Sequence, residues 1–195
     1  MKMDIYFIFD TSGSMDEMGK IHLHRNLARY AIQVASLAQE SCTDFVIRLY
    51  QWHQDISEIT LQSDGDIPSL TAKGSSSLAE LSDFLSQHVY KSGVARVLIL
   101  SDGNFPSSDT INFQNQLCTF PDLIIRTVAV GADADLLKLR KLSTNNTVYL
   151  PENIASAMNS TLFGSDEPVT APVSAAQIQH SAPAETAGPE EDWDA

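Results

Sequence analysis

Cysteine, basic residues and long apolar runs are all scarce in this chain. The only cysteines, Cys42 and Cys118, stand far apart and in no metal-ligand spacing, which suits a reducing compartment better than a disulfide framework. Lysine and arginine total 12 against 25 acidic residues, a formal charge of −13, so nucleic acid and anionic membrane surfaces are repelled. No apolar run reaches the length of a membrane span. The N-terminal MKMDIYFIFD holds one early lysine and an apolar stretch ending at Asp10, too short for a signal peptide. The expectation is a cytoplasmic protein with two inert thiols.

What is present suffices for a core, since 43% of the 195 residues are hydrophobic. The continuous apolar runs 3–10, 44–52, 94–102 and 123–131, with a weaker one at 146–151, read as strands buried on both faces. Helical patterns lie between them. Residues 18–39 align Leu23, Leu27, Tyr30, Val34 and Leu37 on one stripe, and 76–90 align Leu78, Leu81, Leu85 and Val89. Segments 109–118, 133–143 and 152–163 complete the series. Buried strands alternating with amphipathic helices predict an α/β fold, a doubly wound and mainly parallel sheet with helices on both faces. The segment 56–61 follows the second strand too closely for a crossover, so it is expected to form an antiparallel edge strand through a hairpin at 53–55.

From Ser165 the composition turns to Ala, Pro and Ser without periodicity, which predicts a globular domain over 1–164 and a disordered acidic tail over 165–195. The tail carries −7 of the −13, leaving −6 for the rest. Its terminal PEEDWDA sets Trp193 among acids, in the manner of a short docking motif, although a solvated tail is the plainer reading.

The chemistry concentrates where the first strand ends, in IFDTSGSM. Asp10, Ser12 and Ser14 could be helix-capping residues, a nucleophile with its neighbours, or a metal site. In an extended segment residues two apart face the same side, so the three can converge, with Gly13 allowing a turn. Asp102 ends a second buried strand in VLILSDG, and KGSSSL offers Ser75, Ser76 and Ser77 ahead of a helix. In open parallel sheets, sites form at the carboxyl ends of the strands. Two carboxylates and several hydroxyls make an oxygen-only donor set, which suits Mg²⁺ and argues against zinc.

These three motifs resemble those of von Willebrand factor A (vWA) domains: DTSGSM matches the DxSxS motif, SDG the second aspartate motif, and KGSSSL the loop that supplies a threonine ligand. The resemblance spans roughly residues 3–163 and implies a metal-ion-dependent adhesion site, or MIDAS, formed by Asp10, Ser12, Ser14, Ser76 and Asp102 around Mg²⁺ or Mn²⁺. Serine stands where the family has threonine. Aligning Ser77-Leu78 with the family's Ser-Leu selects Ser76 over Ser75. The likeness further implies a non-enzymatic module whose metal takes an Asp or Glu from a protein partner. The short first loop, SMDEMGKI, is similar to that of intracellular bacterial TerY-like proteins associated with tellurium resistance, which implies a stress-response or signalling setting with kinase or phosphatase partners. The enzyme alternative is a haloacid-dehalogenase-like phosphatase with Asp10 as nucleophile and Ser101 assisting, but such enzymes need a second aspartate where Ser12 stands. His22 and His24, two apart on a helix, point to nearly opposite sides and read as ordinary helix residues. The serines of GSSSL double as caps for the following helix, a role open to Ser76 itself, and GADAD (131–135) reads as a strand-to-helix turn with an aspartate cap.

Overall fold

The computed structural model describes residues 3–41, 45–92, 95–118 and 120–165. Five parallel strands, β1 (Met3–Asp10), β2 (Phe45–Trp52), β4 (Ala95–Ser101), β5 (Leu123–Ala129) and β6 (Val148–Tyr149), join β3 (Ile56–Glu58), which pairs antiparallel with β2. The order across the sheet is β3-β2-β1-β4-β5-β6. The helices are α1 (Lys20–Ser41), α2 (Leu78–Ser92), α3 (Ser107–Leu117), α4 (Leu136–Leu142) and α5 (Ile154–Phe163).

The apolar runs form the central strands because each buries both faces. Ile5, Phe7 and Phe9 of β1 pack with α1 and α5, while Tyr6 and Ile8 pack with α2, α3 and α4. Each such side chain contributes about 1.5–3 kcal/mol by leaving water. The hairpin closes at 53–55, where the His53 amide donates to the Asp55 carbonyl (3.0 Å) and the Asp55 amide donates to His53 Nδ1 (3.2 Å).

The structure departs from the sequence expectation on α1. Leu23, Tyr30 and Leu37 face solvent, and the buried stripe is instead Lys20, Ile21, His24, Ala28, Ala31 and Ala35. Alanines let the helix sit close on the sheet, and two polar residues on that face hide the stripe from a hydrophobicity reading. The helix also begins at Lys20 rather than 18, because Met18 (φ 52°) and Gly19 (φ 72°) are left-handed and cannot continue a right-handed turn. The edge strands β3 and β6 are shorter than expected, three and two residues. The tail over 166–195, its PEEDWDA motif and Cys42 lie outside the described residues. Among the described residues no helix is long and apolar enough to cross a membrane.

Candidate metal centre

From β1 the chain builds β2 on one side and later β4 on the other, so strand order reverses between β1 and β4. That reversal opens a crevice beyond their carboxyl ends. Asp10 is the last residue of β1, and Ser101, the last of β4, is followed by Asp102. Both aspartates are buried.

Asp10 is held from three directions. Its Oδ1 accepts the Ser12 amide (2.9 Å), and its Oδ2 accepts the hydroxyls of Ser101 (2.5 Å) and Ser76 (3.5 Å). The Ser12 and Ser14 hydroxyls lie 3.2 Å apart. Ser76 arrives on a loop laced to the β1 loop: the Gly13 amide donates to the Gly74 carbonyl (2.9 Å) and the Lys73 amide to the Thr11 carbonyl (2.8 Å). Gly74 is left-handed (φ 64°), a turn that a side chain would strain. Within GSSSL the roles are divided. Ser75 is exposed, Ser76 is buried against Asp10, and Ser77 rather than Ser76 caps α2, its hydroxyl accepting the Glu80 amide (3.3 Å).

Asp102 is close enough for its charge to act on Asp10, but its carboxylate bonds elsewhere. Oδ1 accepts the Asn104 amide (3.0 Å), and Oδ2 accepts the ammonium of Lys20 (2.8 Å), which also donates to Asp133 (2.9 Å). The pleat explains the divergence. Ser101 shares the face of Val97 and Ile99 and meets Asp10, whereas Asp102, one residue on, turns toward α1. Burial works against the Lys20 charge, yet the two carboxylates outweigh it and raise its pKa. In GADAD, Asp135 caps α4 by accepting the Lys138 amide (3.1 Å), and Asp133 holds Lys20. His22 is exposed, but His24, one turn beyond Lys20, is fully buried beside Phe9 with no hydrogen-bond partner among the described residues on either ring nitrogen. Burial pushes its pKa down to about 3, so the ring is neutral.

The donors fit a hard divalent cation. An octahedral ion with bonds of ~2.1 Å sets neighbouring ligand oxygens about 3 Å apart, near the Ser12 to Ser14 separation, and Asp102 is near enough for its charge to act on Asp10. Among the described residues no three His, Cys, Asp or Glu side chains cluster in a way that could hold a metal, so hydroxyls are indispensable to any site here. The cleft between α2 and α3, lined by Asp109, Asn112, Phe113 and Gln116, includes none of the five candidate ligands.

Asp10 carries a pH signature. Burial, helped by the charge of Asp102 and opposed by the hydrogen bonds from Ser101 and Ser12, raises its pKa from 3.8 to about 6. A raised carboxylate pKa means that the metal-free fold holds this proton more tightly than the unfolded chain, so ionised Asp10 costs stability above pH 6, and the cost fades as pH falls toward 3.8. A cation needs the ionised form. The rise in melting temperature produced by Mg²⁺ is therefore expected to be full at pH 7.5 and to shrink below pH 6, measured by thermal melts with Mg²⁺ and with EDTA at each pH.

Lys20, Asp133 and the Asp10 contact of Ser101 escaped the sequence reading. One signal for Lys20 was local: an ammonium in the first turn of a helix opposes the macrodipole and needs a compensating partner.

No family model and no curated protein matches the chain, whereas solved structures do. The von Willebrand factor type A protein of Catenulispora acidiphila superposes with a TM-score of 0.56 at 17% identity over 82% of this chain. This chain has the vWA fold. The ArnB paralog VWA2 of Sulfolobus acidocaldarius gives 0.59 at 16% identity over 80%. Proximal thread matrix protein 1 of the mussel byssus, described with a zinc-occupied MIDAS motif, gives 0.57 at 13% over 83%. This chain spans 42%, 44% and 45% of those three, less than half of each.

Proposed function

We propose that this protein is a divalent-metal-dependent protein-binding module whose centre, formed by Asp10, Ser12, Ser14, Ser76 and Asp102, holds Mg²⁺ or Mn²⁺ and receives an Asp or Glu side chain from a partner. The observation that carries the reading is that both oxygens of Asp10 and both oxygens of Asp102 already accept hydrogen bonds from the chain, while the serine hydroxyls stand 3.2 Å apart at the crevice. In this reading the hydroxyls are the direct donors and the carboxylates act largely through water, as the resemblance to vWA domains implies. A bound divalent ion supplies a localised positive charge with exchangeable positions, open to an outside carboxylate. The chain's own acidity gives no long-range attraction for such a partner, so binding depends on the centre.

The rim supports a protein ligand. Met18, four residues beyond Ser14 on the loop between β1 and α1, is 86% exposed in a left-handed conformation, an apolar contact for a partner. The phosphatase alternative finds no support, since Asp10 is closed to solvent with both oxygens hydrogen-bonded, a poor setting for a nucleophile. The reading is therefore non-catalytic, in a cytoplasmic, TerY-like bacterial stress-response or signalling system with a kinase or phosphatase as partner. Zinc stays the competing ion, given the mussel relative. The test is a pull-down with the full chain, followed by affinity measurement with Mg²⁺, with EDTA, and with the Ser12→Ala and Asp102→Ala variants. EDTA and either substitution should weaken binding roughly thirtyfold or more, the size of a hot-spot loss. Equal affinity with Mg²⁺, with EDTA and in a folded Ser12→Ala variant would sink the proposal.

A further inference from the structure

We infer that Lys20 is the resident counter-cation of this centre: fixed between Asp102 and Asp133, it neutralises Asp102, so that the chain holds a divalent ion loosely and leaves that ion's charge to a carboxylate from outside. The inference rests on the metal-dependent reading above.

An ammonium at this position is otherwise hard to explain. Lys20 opens α1, at the positive end of the helix dipole, and is 1% exposed. Neither condition favours a cation, and only the two carboxylates at 2.8 and 2.9 Å compensate. The fold is shaped around the side chain. Gly131, left-handed at φ 98°, passes so near that a Cβ there would stand 2.5 Å from Lys20 Cδ and 2.7 Å from Asp133 Oδ1. The loop after β5 can run there only without a side chain, and in doing so it encloses the lysine stem. With the Asn104 amide on its other oxygen, each oxygen of Asp102 accepts a hydrogen bond from the protein.

The charge count then follows. The fully buried charges at the crevice are Asp10, Asp102 and Lys20, a net −1, with His24 neutral and Asp133 half-exposed and screened by solvent. A divalent ion brings that total to +1, an excess that selects an anion. Without Lys20 the total would be zero, with tighter metal binding and less pull on a partner.

The experiment titrates full-length protein with Mg²⁺ and, separately, Mn²⁺, followed by calorimetry and by the shift in Tm. Lys20→Met should bind both ions about tenfold more tightly, because a like charge near the ion is gone. Asp133→Asn should bind them more weakly, because Lys20 loses its second carboxylate and its ammonium is left to Asp102 alone. Lys141→Met, exposed at the end of α4, should stay within about twofold of the unmodified chain. A folded Lys20→Met variant with unchanged or weaker affinity overturns the inference while the metal reading stands. Should that variant not fold, Asp133→Asn decides, and affinity equal to or tighter than that of the unmodified chain overturns it. If neither the unmodified chain nor Lys20→Met responds to either ion, the metal reading itself falls.

Discussion

In an Asp10→Ala variant the stabilisation conferred by Mg²⁺ should vanish. A ligand that binds only the folded state stabilises it by about 2.7 kcal/mol at one hundred times its Kd. For a domain of this size that is roughly 5–10 °C in Tm. Asp10 is the point on which the centre closes, accepting from the Ser12 amide and from the hydroxyls of Ser76 and Ser101. Its loss removes a charge and frees the two loops that carry the serines. Metal-free stability should move much less. Burial already holds this carboxylate up at a pKa of about 6, so removing an ill-solvated charge offsets the lost hydrogen bonds. Melts with Mg²⁺ and with EDTA separate the two effects, and a variant that keeps the full metal response would show that the ion is held elsewhere.

The largest effect on folding should come from Trp52→Ala, at about 3–5 kcal/mol. Trp52 heads the fully buried side chains by volume, packs near Phe105 (centroids 6.2 Å apart), and ends β2 beside the crevice. A loss of that size is a large share of the roughly 5–15 kcal/mol that holds a typical domain folded. Trp52 also couples fold to site. Its Nε1 donates to the Ser77 carbonyl (2.9 Å) next to Ser76, and its own carbonyl accepts the amide (2.7 Å) and hydroxyl (3.2 Å) of Thr11. Trp52→Phe keeps most of the volume but loses the indole donor, so it should cost about 1–2 kcal/mol and still weaken Mg²⁺ binding, because the loop carrying Ser76 loses an anchor. Urea unfolding and a Mg²⁺ titration read both. A cost below about 1 kcal/mol for Trp52→Ala would mean that this corner of the core is not packed as described.

Legibility in the sequence followed the range of the interactions involved. The strands of the doubly wound sheet were readable because a strand buried on both faces must be apolar at every position, as in Ile5 to Phe9. The boundaries of α1 and α2 were not, because they depend on single dihedrals and caps: left-handed Met18 and Gly19 delay α1, and Ser77 starts α2. The inward face of α1 was misread because, apart from Ile21, its buried residues are alanines, Lys20 and His24, while three larger apolar residues look out to solvent.

The sequence by itself determined the donor types and their local spacing: Asp10, Ser12 and Ser14 at alternate positions, an aspartate immediately after β4, and a serine loop before α2. Only the tertiary structure decided how those groups are charged and aimed. The pleat sends Ser101 to Asp10 and Asp102 to the opposite face, and there it meets a lysine 82 residues away in the chain, whose second partner is 113 residues away. Local periodicity carries no trace of such a pairing. The Coulomb energy that selects it depends on distance and burial in space, and those quantities exist only once the sheet has brought β1, β4 and the loop after β5 side by side.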